Sequence, residues 1–185
     1  MLVPLGLAAA SPLLQWRQPV YIAAGFAGIF GMALMVVQPM LSAGLLPGIG
    51  MPQQRNWHRV CGIFLIIAIA VHVAGLWITS PPDVIDVFLV RSPTPFAIWG
   101  LLAFWAVLAA AGLAALRRRL PLRFWRWGHS ALVSLTVIGT VLHAVQIDGT
   151  MEDISKWVLS LAVLAALAMA IYRRRVWVMG LRRRA

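Results

Sequence analysis

Residues 57–79 read WHRVCGIFLIIAIAVHVAGLWIT, and residues 124–146 read FWRWGHSALVSLTVIGTVLHAVQ. After Arg59 the first stretch meets no charged residue before Asp83, and after Arg126 the second meets none before Asp148. About 20 mostly apolar residues suffice for a helix to cross about 30 Å of hydrocarbon, so both stretches predict membrane-spanning helices. Three more runs of that kind lie at about 20–46, 95–116 and 155–178. The expected fold is all-α: an integral membrane bundle of five full helices in a single domain covering 1–185. Overall composition agrees, being 62% apolar and 11% charged with a mean hydropathy of +0.87, against roughly 45–50% and 25% in a soluble domain.

The stretch 1–14 is apolar but short, holds Pro4 and Pro12 and lacks a basic start, so it matches neither a signal peptide nor a full span. It counts as a short sixth segment if it inserts. Pro39 falls inside the first run and predicts a bend or an early end there. Pro and Gly at 46–48, 80–82 and 92–95 mark the connections as loops. One cysteine, Cys61, excludes an internal disulfide, a cysteine-ligated iron–sulfur cluster and covalent haem attachment through C-x-x-C-H. It reads as a small buried residue.

The net charge of +11 is unevenly spread. Arg55 and Arg59, Arg117 to Arg119, Arg123, Arg126, Arg173 to Arg175 and Arg182 to Arg184 make 13 of the 16 basic residues, all at one set of helix ends. All five acids, Asp83, Asp86, Asp148, Glu152 and Asp153, fall at the other, with only Arg17, Arg91 and Lys156 as basic company. The positive-inside rule makes the arginine side cytoplasmic, including the C-terminus, and predicts a multi-pass protein of the inner (plasma) membrane. The basic balance is thus a topology signal and does not point to nucleic acid. Trp57, Trp125 and Trp127 at one face and Trp77, Trp99 and Trp157 at the other read as headgroup anchors.

The four histidines, His58, His72, His129 and His143, form two pairs, each 14 residues apart within one of the quoted stretches. Fourteen helical steps amount to about 320° beyond three turns and about 21 Å of rise, so both members of a pair share a face at two depths. Both stretches run outward from the arginine side, which sets His58 level with His129 and His72 level with His143. Two imidazoles facing each other at one depth are the axial ligand set of a non-covalent haem, and the second depth repeats it. Two haem b groups are expected, both closed to oxygen chemistry and suited to carrying electrons. Tetrahedral zinc would need four ligands at one level. Gly62, Thr136 and Thr140 lie near the histidine line and are expected to leave room for a flat macrocycle, the threonines bonding back to their own helix. Arg55, Arg59, Arg123 and Arg126 are the expected partners of the inner haem's propionates, with Arg91 and Lys156 for the outer.

These stretches, from Trp57-His58-Arg59 to His72 and from Phe124-Trp125-Arg126-Trp127-Gly128-His129 to His143, resemble the ferric-reductase-like transmembrane family over about 20–172. That family includes the membrane parts of ferric reductases and NADPH oxidases and the haem subunit of a periplasmic methionine sulfoxide reductase system. The resemblance implies a six-helix bundle with haem histidines on the third and fifth helices. Larger relatives append a flavin and nicotinamide domain, and this chain resembles the membrane part alone, so a flavin or quinone would come with a partner. The expected function is electron transfer across the bilayer from a cytoplasmic flavoprotein reductase or quinol to a periplasmic acceptor. Two alternatives are a cytochrome b-like quinol-oxidising subunit, which has paired histidines at the same spacing, and a proton or metal transporter whose pathway the histidines line.

Overall fold

The computed structural model describes residues 6, 14–149 and 151–174. These form α1 (Pro19–Ala43), α2 (Met51–Thr79), α3 (Pro81–Phe88), α4 (Pro95–Ala115), α5 (Leu122–Val145) and α6 (Asp153–Arg174). All but α3 are long and apolar enough to cross a membrane, so the chain is an all-α, multi-pass membrane protein. Most of the stretch 1–14, and the arginines at 175 and 182–184, lie outside the described residues.

Proline starts four of the helices: α1, α2, α3 and α4 carry one in their first two positions, where the missing N–H has no helical partner to lose. α1 passes through the buried Pro39 without ending and stops at Gly44, in the left-handed region at φ 70°. There the Gly44 N–H donates to the Leu41 carbonyl and the Leu45 N–H to that of Met40, the two bonds of a Schellman stop. The expected end near residue 46 is therefore corrected to Ala43. α2 begins at Met51, six residues before the expected start, because polar Gln53, Gln54 and Arg55 end the apolar run without ending the helix. The buried Gln54 closes the turn by donating through Nε2 to the carbonyls of Leu46, at 3.0 Å, and Ile49, at 2.7 Å.

The connection expected as a loop after residue 80 contains α3 instead. Pro81 and Pro82, read as breakers, are its start; Asp83 lies in its first turn, where the helix dipole favours a negative charge, and Val84 is buried.

α1 packs against α2, α4 packs against α5, and α6 lies against both α1 and α5. Gly75 lets α2 approach Ala24 of α1, and Gly139 lets α5 approach the backbone at Trp99 of α4, the small-residue contact by which membrane helices come close. Ile29, Met32, Leu65, Val107, Val137 and Val163 join the helices in one buried cluster. Ile63, Phe64, Ile67 and Val71 of α2 are exposed and apolar, as lipid contact requires. α2 and α5, which carry the histidines, are not among the closely packed pairs.

Candidate haem-binding site

Every histidine makes the same bond with a different helix. His58 Nδ1 lies 3.1 Å from the Gln38 carbonyl oxygen and His72 Nδ1 2.8 Å from that of Ala24, both on α1. His129 Nδ1 lies 3.2 Å from the Ala110 carbonyl oxygen and His143 Nδ1 2.9 Å from that of Phe96, both on α4. A carbonyl only accepts, so Nδ1 carries the proton in all four rings and the lone pair of the neutral imidazole is at Nε2. The acceptors, like the histidines, are 14 residues apart on each helix, which fixes α1–α2 and α4–α5 as antiparallel pairs with the same register. Each carbonyl has two lone pairs, so it serves its own helix and the imidazole together.

Glycine makes this approach possible at two of the four positions. Gly28 and Gly100 each follow the accepting residue by one helical turn. A Cβ at Gly28 would stand 3.0 Å from His72 Nδ1, and one at Gly100 would stand 2.6 Å from His143 Nδ1. Phe96 adds an edge-on contact of its ring with His143, centroids 5.7 Å apart. His72 and His143 stand on α2 and α5, which are not among the closely packed pairs.

The other two histidines have side-chain neighbours. Gln38 Nε2 donates to the His58 carbonyl at 3.1 Å, so the pair bonds reciprocally. The space beside Gly62, expected to face a macrocycle, holds the Gln38 amide instead, 3.2 Å from where a Cβ would be. The Trp125 ring stacks on His129, centroids 5.7 Å apart and planes 16° apart. Thr136 Oγ1 donates back to the Leu132 carbonyl at 2.9 Å, as expected.

The extended start of α2 puts Arg55 on the helix, three residues before His58, as Arg126 stands three before His129 on α5. Residues three apart are neighbours on one helix face. Arg59 and Arg123 point to other faces by that periodicity, and all four side chains are exposed. Lys156 is buried and committed elsewhere: its Nζ donates to Asp153 at 2.9 Å and lies 3.9 Å from Asp148. Arg91 is exposed after α3, and Cys61 is half-buried.

Four intramembrane imidazoles with Nε2 lone pairs, on two helices not closely packed on each other, suit a flat, doubly ligated metal group. A carbonyl or carboxylate at the second nitrogen is the usual way a metal-binding histidine is held. Among the described residues no group of three or more His, Cys, Asp or Glu side chains clusters. No curated protein and no solved structure matches the chain. Residues 24–140, with three of the four histidines, match the model of the ferric reductase like transmembrane component, and the chain belongs to that family.

Proposed function

We propose that this chain is a di-haem b-type cytochrome of the inner membrane, its C-terminus cytoplasmic, carrying electrons from a cytoplasmic donor to a periplasmic acceptor. Membership of the family supports a membrane electron-transfer component, and domains of the family generally bind haem. The observation that carries the finer reading is the fourfold Nδ1–H to carbonyl bond, which orients each ring and leaves Nε2 basic.

His58 and His129 hold the inner haem, His72 and His143 the outer. Each haem, when bound, supplies a one-electron ferric/ferrous couple. Arg55 and Arg126 are the best-placed partners for the inner propionates, and Arg59 and Arg123 add positive charge nearby. The donor is a flavoprotein reductase or quinol, and the arginine-rich face suits an acidic partner.

The interval between the two levels argues against a proton or metal pathway. From Ile63 to Val71, α2 has no polar side chain, and of the four hydroxyl side chains on α5 between His129 and His143, those of Ser134 and Thr136 donate to carbonyls of their own helix. Leu65 and Val137 are buried between them. An interval this apolar favours passage of an electron over a proton relay.

Vesicles of known sidedness test the reading. Reduced nicotinamide with a flavin reductase, or a quinol, on the cytoplasmic side is expected to reduce both haems, and an outer acceptor to reoxidise them. His72→Ala is expected to block reoxidation while the inner haem is still reduced. Full turnover in that variant contradicts the path.

A further inference from the structure

Trp125 departs from Trp57 and Trp127 at the arginine-rich end. Trp57 and Trp127 are exposed, as headgroup anchors are, whereas Trp125 is half-buried with its ring stacked on His129. Its Nε1–H is fully buried and meets no acceptor among the described residues. An indole anchoring a helix in the headgroup layer keeps its N–H wet, so inward burial of this donor costs free energy that anchoring does not explain. The Arg117 guanidinium lies 5.9 Å from the same ring, so the surroundings favour an anion.

A buried donor without an acceptor among the described residues, beside an imidazole proposed to bind a metal, is matched by an anionic oxygen that arrives with the ligand. The chemistry is that of a carboxylate or a phosphate ester: the first is a haem propionate, the second a lipid headgroup. The stack on His129 favours the propionate, since both groups would then belong to one bound molecule.

We propose that Trp125 is a binding residue of the inner haem, holding the His129 ring by stacking and donating its indole N–H to a haem carboxylate. The inference rests on haem ligation by His58 and His129. The N–H partly neutralises the carboxylate, and its loss would leave more negative charge near the iron, favouring the ferric state.

The test uses the purified full chain with its haems, and three variants: Trp125→Phe, Trp125→Ala and Trp127→Phe. The inner haem is identified as the component lost in His129→Ala. Trp125→Phe, which keeps an aromatic ring and lacks the N–H, is expected to retain both haems and to lower the inner midpoint potential alone. Trp125→Ala is expected to lose inner haem several-fold relative to Trp125→Phe, and Trp127→Phe to change neither quantity. An unchanged inner potential in Trp125→Phe overturns the proposal. With that potential unchanged, a new dependence of haem retention on anionic lipid would assign the N–H to a headgroup. An equal shift in Trp127→Phe also overturns it, by showing a general surface effect. Wild-type protein with an outer haem but no inner one would refute inner ligation itself, a failure distinguishable from these.

Discussion

His72 and His143 are seated on α1 and α4 in a different way from His58 and His129. At the first level the Nδ1 to carbonyl distances are 2.8 and 2.9 Å, and the residue one turn beyond each acceptor is Gly28 or Gly100. At the second they are 3.1 and 3.2 Å, and the corresponding residues are Ser42 and Ala114. The first level gains close contact from side chains that are missing. The second, near the arginine-rich ends, has two that are present, Gln38 against His58 and Trp125 against His129. The outer rings are seated by backbone carbonyls and, at His143, by the edge of the Phe96 ring, while the inner rings add the Gln38 amide and the Trp125 stack.

The largest effects come from the ligands. Each His→Ala variant is expected to remove one of two haems: His72→Ala and His143→Ala the outer, His58→Ala and His129→Ala the inner. Haem counted per chain and difference spectra measure this. Losses that grouped His58 with His72 would break the division into levels.

Glycine substitutions come next and sharpen the contrast. Gly100→Ala is expected to weaken outer haem binding about 10–100-fold, the usual effect of disturbing a group that orients a metal ligand. The inner haem should be untouched. Gly28→Ala should do less, because its Cβ would stand 3.0 Å from the ring atom and not 2.6 Å. Haem titration of the apo-protein measures both, and a larger effect on the inner haem would show that the glycines do not seat the outer histidines.

Gln38→Leu should have the smallest effect. The bond that orients His58 goes to the backbone carbonyl of residue 38, which leucine keeps, and the amide lost has a buried Oε1 with no partner among the described residues. Removing one hydrogen bond and one unsatisfied acceptor together leaves stability within about 1 kcal/mol. Thermal unfolding followed by Soret absorbance measures it. Loss of the inner haem in this variant would mean that the side chain holds His58 in place.

The spans and the histidine pairs were legible because hydrophobic length and helical spacing are carried by side chains. The acceptors were not, because any residue supplies a backbone carbonyl: nothing in the identities of Gln38, Ala24, Ala110 and Phe96 marks them. Gly28 and Gly100 left a faint signal, each one turn past an acceptor, which only the helix register makes readable. The start of α2 was misplaced and α3 was read as a loop because apolarity locates hydrocarbon, whereas prolines locate helix starts. Trp125 read as a headgroup anchor since sequence places a tryptophan at a depth without saying which way its N–H points.

The central claim is that two histidine pairs hold two haems, one at each level. The absorption spectrum of the purified full chain, oxidised and reduced, with haem counted per chain, tests it most directly. Two non-covalent b-type haems per chain, low-spin in both redox states, are the predicted result; no haem, or a high-spin spectrum in either state, would contradict it.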